Sequence, residues 1–202
     1  ALPLSFEVAV DSWRKPMKGN PRMPTASMPM PPMALSVIAP PFGHCSLVTP
    51  SILSRIAKGG IIPTPFWTYA YYHGEKWEQY GDEKMRMMFA HRSFLDAGIR
   101  VVGASDYGPG PFEPLMALQS MVTRKDYRGK EWGPNQKVTL DEALLITTRN
   151  GAYASYEERT KGTITAGKLA DFVILEKDPH DVPPDTIKDI KVVRTVVGGR
   201  TV

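Results

Sequence analysis

Apolar positions along this chain change their period several times, and each change marks an element. In "TPSILSRIAKGG" (49–60), Ile52, Leu53 and Ile56 stand at i, i+1 and i+4, the spacing of one helical face. Thr49 suits the N-cap, Pro50 the first helical position and Gly59-Gly60 the stop. "IIPTPFWTYAYY" (61–72) is β-branched and aromatic, which predicts a short strand and a loop. The spacing in "DEKMRMMFAHRSFLDAG" (82–98) predicts a single helix, with Met85, Met88, Phe89 and Leu95 on one face and Gly98 as its cap. "IRVVGAS" (99–105) is the apolar run of a buried strand. A long loop and a short helix over 111–124 follow. "TLDEALLITTRNGAYASYEE" (139–158) opens on a capping box, Thr139 with Glu142.

This alternation of helix and strand predicts an α/β chain of parallel βα units. After residue 158 the pattern shifts again. Residues 162–178 and 189–202 read as strands joined by turns, which predicts a small β unit beside the α/β body. Before residue 44 there is no period at all. Residues 1–43 hold nine of the 19 prolines and five of the ten methionines, and proline denies donors to any ladder. Three regions result: an atypical or disordered Pro/Met-rich segment at 1–43, the βα units at 44–158, and the β strands at 159–202.

Composition narrows the class. A net charge of +4 without any Lys/Arg run argues against a nucleic-acid surface. No apolar run approaches the roughly 20 residues that span a bilayer, and the first residues lack the basic and apolar regions of a secretory signal. The chain does not start with Met, so it is expected to be processed or cut from a longer one. Its one cysteine, Cys45, excludes an internal disulfide framework and suits a reducing, cytoplasmic compartment.

The candidate chemistry centres on Asp106. It ends a buried-looking strand where "YGPGP" breaks the chain. In parallel barrels the reacting groups sit at the C-terminal strand ends, where a carboxylate can ligate a metal or take a proton from water. A turn-capping carboxylate is the competing reading. His44 beside Cys45 offers a metal ligand, against a packed or solvated imidazole. His73 lies in an aromatic loop and is a candidate substrate contact, with Phe66 and Tyr71 as pocket walls for an apolar or aryl group. Tyr69 and Tyr72 belong to the same aromatic run. His91 is expected on the surface, His180 in a solvated turn, and Asp171 in a structural role. "GPGPFEP" lacks the Lys-Ser/Thr pair of a phosphate loop.

Taken together, "GASD", "TLDEALLITTRNGAYASYEE", "KGTITAGKLADFVILEKDP" and "VVRTVVGGRTV" resemble the C-terminal end of the amidohydrolase superfamily. More narrowly they resemble its amidohydrolase 3 branch, which includes N-substituted formamide deformylases. The resemblance covers about four-fifths of the chain. It implies the C-terminal portion of a (β/α)8 TIM-type barrel followed by strands of a small β-sandwich domain. It implies a metal-dependent hydrolase of non-peptide C–N bonds, with a small amide-type substrate and a divalent metal, zinc first, with iron, manganese and cobalt as alternatives. Asp106 matches the family's last metal ligand and general base, and His44 matches the histidine after the sixth strand. The family's His-x-His and fifth-strand histidine have no counterpart here. An inactive truncated remnant, or a non-catalytic half of a split hydrolase that needs a partner chain, is therefore the alternative expectation. A homodimer is the other assembly in view.

Overall fold

A computed structural model describes residues 41–202. The reading of residues 1–40 lies outside the described residues. The first strand already begins at Pro41, inside the segment read as irregular. β1 (Pro41–His44) runs parallel to β2 (Ile62–Pro65), joined by helix α1 (Pro50–Lys58). The Thr49 side chain caps α1 by accepting from the Ile52 amide, and Pro50 opens it, as the sequence predicts.

The third parallel segment is 101–104. The Val102 and Ala104 amides donate to the Pro63 and Pro65 carbonyls at 3.0 and 3.1 Å, and Trp67 N donates back to Ala104 O. Val101 and Val102 are buried. The spatial order is therefore β1, β2, then 101–104, and all three C-terminal ends fall on one rim. Among the described residues β1 pairs only with β2, so its other edge is open. Beside that edge runs a 540 Å³ groove lined by Cys45, Leu47, Val48, Ile52 and Ile56.

Several segments depart from their local pattern. After β2 the aromatic run does not stay a loop: it winds into α2 (Tyr69–His73) and a 3-10 turn over Gly74–Tyr80. The helix expected over 82–98 is broken into α3 (Gly81–Met85) and α4 (His91–Asp96). Between them Met88 bridges to Leu47, and Phe89 takes a left-handed φ of 45°. Three chain-to-chain contacts outcompete the helix there. Val48 N donates to Met87 O, Phe89 N to Ser46 O, and the Arg124 guanidinium to the carbonyls of Met88 and Phe89. His91 is consequently not a surface residue. It is 1% exposed, its Nδ1 lies 3.0 Å from Phe89 O, and burial drives its pKa down to about 3, with the Arg124 charge as a second cause.

α5 (Pro114–Thr123) ends at Arg124, which is itself left-handed at φ 54°. The capping box at Thr139 and Glu142 forms and starts α6 (Leu140–Thr147). A break at Thr148 separates α6 from α7 (Arg149–Ala154), where one helix had been expected. Glu142 also binds Arg92 of α4 with both carboxylate oxygens at 2.7 Å.

The tail forms a three-stranded antiparallel sheet, β3 (Phe172–Leu175), β4 (Val192–Val197) and β5 (Arg200–Thr201). Asp171 is structural here: it accepts the Gly198 amide in the β4–β5 turn at 2.6 Å. One core runs through both units, from Val48, Phe94 and Val101 through Met121 and Ile146 to Leu175 and Ile187. The face of the sheet turned away from that core exposes Val173, Val193 and Val197.

Two predictions follow from this packing. A Cβ placed on Gly103 would come within 1.8 Å of the Trp67 ring. Gly103→Ala must therefore move an indole that packs on the core, and should destabilise by about 1–3 kcal/mol, read from the urea midpoint. His180 joins the tail to α6: its Nδ1 lies 2.8 Å from Asp178 and its Nε2 2.9 Å from Asp141. Partial burial opposes its charge, but hydrogen bonds and charge from Asp141 and Asp178 outweigh it and raise the pKa. The stabilisation is thus fully present below the unfolded value of about 6.5 and is lost as pH rises through the raised folded value. His91, with its folded value depressed to about 3, contributes with the opposite sign at pH values below about 6.5. The difference between the wild type and His180→Gln is therefore the quantity to measure: it should be larger at pH 5.5 than at pH 8.5.

Candidate active site

Two candidate residues stand on the same rim. His44 ends β1 and Asp106 follows segment 101–104, with the end of β2 between them. Both have left-handed backbones, φ 71° at His44 and 55° at Asp106, and so does Cys45 at 41°. Non-glycine residues there cost roughly 1–2 kcal/mol each, and such costs gather where a side chain must be aimed.

A chain of rings joins the two. The His44 ring lies 5.0 Å from Phe66, and Phe66 lies 4.7 Å from Tyr69. The Tyr69 hydroxyl donates to Asp106 Oδ2. Phe89 supports both aromatic rings, 5.8 Å from Phe66 and 5.4 Å from Tyr69. Burial first, and then the adjacent Asp106 carboxylate, push the Tyr69 phenol up to about 12, so it remains a donor across the physiological range.

Each predicted substrate contact has a defined place. His73 stacks edge-on against Tyr69 at 4.7 Å, and its Nε2 lies 3.4 Å from Pro109 O in the loop after Asp106. Phe66 is only 7% exposed; it forms the floor of the ring cluster. Tyr71 stands outside the cluster. Its ring meets Tyr72 at 4.9 Å, and both phenols act on the charge of Lys188 in the tail. The aromatic groups most open to solvent near Asp106 are instead Tyr107 and Phe112, paired edge-on at 5.4 Å.

Sequence reasoning passed over Tyr69 as a partner of Asp106. The signal was present, since Tyr69 and His73 are i and i+4 and share a helix face, whereas Tyr71 points elsewhere. Reading 61–72 as strand and loop hid it.

For a metal, the donor set is incomplete. No group of three or more His, Cys, Asp or Glu side chains that could hold an ion occurs among the described residues. A hydrolytic site of the usual kind takes three protein ligands and a water. His44 and Asp106 are two donors on one rim and do not make such a site alone. Among the described residues, no helix is long and apolar enough to cross a membrane.

Parallel strands with helices between them and polar groups on the C-terminal rim are the arrangement of barrel-type α/β proteins. A family model described as "Amidohydrolase family" matches residues 33–202, and the chain belongs to that family. It is 37% identical over 123 residues to an N-substituted formamide deformylase of Arthrobacter pascens, covering 61% of this chain and 22% of that protein. It is 30% identical over 128 residues to a putative amidohydrolase, YtcJ, of Bacillus subtilis, covering 62% of this chain and 24% of the relative. The chain thus spans about a quarter of the length of these curated relatives. Among solved structures, an uncharacterized metal-dependent hydrolase from Pyrococcus horikoshii superposes with a TM-score of 0.62 at 20% identity, over 71% of this chain and 30% of that one. Guanine deaminase of E. coli superposes at 0.57 and 20% identity, over 80% of this chain and 38% of that one. The fold is accordingly TIM-barrel-like, with mixed helices and strands.

The strained backbone gives a direct test. His44 is exposed, so His44→Gly removes the left-handed cost and loses little beyond the Phe66 contact. The variant should be more stable by about 0.5–1 kcal/mol, measured by urea denaturation. A loss of stability would show that the imidazole itself holds β1 in place.

Proposed function

We propose that this chain is the C-terminal portion of a metal-dependent hydrolase that cleaves non-peptide C–N bonds. β1, β2 and segment 101–104 are then the last three strands of a (β/α)8 barrel. The tail sheet is one side of a small β-sandwich, and the exposed face of Val173, Val193 and Val197 receives its missing layer. The observation that carries the reading is the rim arrangement: His44 and Asp106 on either side of the end of β2, both left-handed and joined through Phe66 and Tyr69.

Asp106 acts as general base toward the attacking water and returns the proton to the leaving nitrogen. His73 and the Tyr107–Phe112 pair border the space beside it, where an apolar substituent on the amide fits. N-substituted formamides are the first substrates to try, on the strength of the Arthrobacter pascens relative. The metal of such an enzyme supplies Lewis acidity when bound; zinc suits imidazole and carboxylate donors, as do iron, manganese and cobalt. The described residues do not by themselves supply enough donors to hold it.

The incomplete donor set favours one further reading. The chain would be the half of a split hydrolase that contributes Asp106 and His44 to a partner carrying the other ligands. The open edge of β1 is where that partner would pair.

The test is metal content and formamide hydrolysis for the purified chain, alone and with the remaining barrel segment supplied, beside Asp106→Asn. Near-stoichiometric metal and hydrolysis that both fall in the variant, by at least 100-fold in rate, are expected with the barrel complete. Full activity in Asp106→Asn would remove the proposed mechanism.

A further inference from the structure

We propose that Tyr69 is the positioning residue for Asp106: its hydroxyl pins Oδ2 and leaves Oδ1 to take part in the reaction. The proposal rests on reading Asp106 as the reacting carboxylate. It goes beyond that reading by naming what aims the group.

A carboxylate at a strand end turns freely about two bonds. A general base has to be held within roughly 0.5 Å and 10–20° of its working geometry. Something must therefore restrain Asp106, and its backbone does so only as far as Cβ. Among the described residues the Tyr69 hydroxyl is the side-chain donor to this carboxylate, and it reaches Oδ2. No hydrogen bond to Oδ1 is made among those residues.

The donor is itself fixed. Tyr69 is the first residue of α2, whose opening turn is closed by the Tyr71 and Tyr72 amides on the Thr68 carbonyl. Its ring is walled on three sides by Phe66 at 4.7 Å, His73 at 4.7 Å and Phe89 at 5.4 Å. Rotation of the phenol ring leaves its oxygen on the ring axis, so the hydroxyl stays in one place. Phe66 also touches the His44 ring at 5.0 Å. One aromatic plate thus sets both rim groups, and the Tyr69 oxygen is the point where it grips Asp106.

The test is the rotamer of Asp106 in the chain itself, read from three-bond nitrogen–carbon and carbon–carbon couplings by NMR. The wild type should show a single χ1 rotamer. Tyr69→Phe keeps the ring packing and should show averaging at Asp106, while the amide spectrum elsewhere is unchanged. A single rotamer in Tyr69→Phe overturns the proposal. So does averaging in the wild type, a result that needs no variant to fold. The kinetic arm separates this from the role of Asp106. In the hydrolytically complete protein, Tyr69→Phe should lower kcat about tenfold at unchanged KM, and a wild-type kcat overturns the proposal. Activity retained in Asp106→Asn overturns instead the reading on which the proposal rests, whatever the rotamers show.

Discussion

The arrangement on the rim depends on a buried cation. Arg124 is 2% exposed and makes no ion pair among the described residues. Its Nε donates to Trp132 O at 2.9 Å, its Nη2 to Met88 O at 3.0 Å and its Nη1 toward Phe89 O at 3.4 Å. The Trp77 ring lies 5.5 Å from the guanidinium carbon. Burial lowers its pKa to about 10, which still leaves it charged at neutral pH. A guanidinium out of water must use its donors, and here carbonyl oxygens accept them. Two of those carbonyls, of Met88 and Phe89, belong to the turn that interrupts the expected helix. By holding that turn, Arg124 holds Phe89 beneath Phe66 and Tyr69, and so fixes the platform under Asp106.

This dependence also explains which parts of the fold were legible in the sequence. Thr49 with Pro50, and Thr139 with Glu142, announce their helices through contacts within four residues, and both form as expected. The place of Asp106 just past a parallel segment was legible because a polar residue breaking an apolar run is a local sign. The segment 82–98 was not, because its local period favours a helix while its partners are Ser46, Leu47, Val48 and Arg124, distant in sequence. His91 went with it: it faces solvent in a continuous helix and the core in a broken one. Tyr69 and Tyr71 differ by two positions, and only knowing that a helix starts there tells which of them faces Asp106.

The left-handed residues show how the chain turns chemistry outward. Glycine would adopt those backbones more easily at His44, Asp106 and Arg124. Each instead carries a side chain that the surroundings use: a ring on Phe66, a carboxylate on Tyr69, a guanidinium on three carbonyls. Stability is given up locally at each position, and the loss is offset by packing elsewhere, chiefly in the core around Phe94, Met121 and Ile146. The unpaired edge of β1 and the exposed valines of the tail belong to the same economy at larger scale, being surfaces that the described residues do not cover.

Cys45 gives that open edge a built-in clock. The residue is 6% exposed, sits one position beyond β1 and lines the groove along the edge. Burial raises its pKa, which disfavours the thiolate that reacts with an alkylating reagent. As the chain holds one cysteine, a single modification rate reports how accessible that groove is. Any segment that pairs with β1 will announce itself by slowing that rate, before its identity or its chemistry is known.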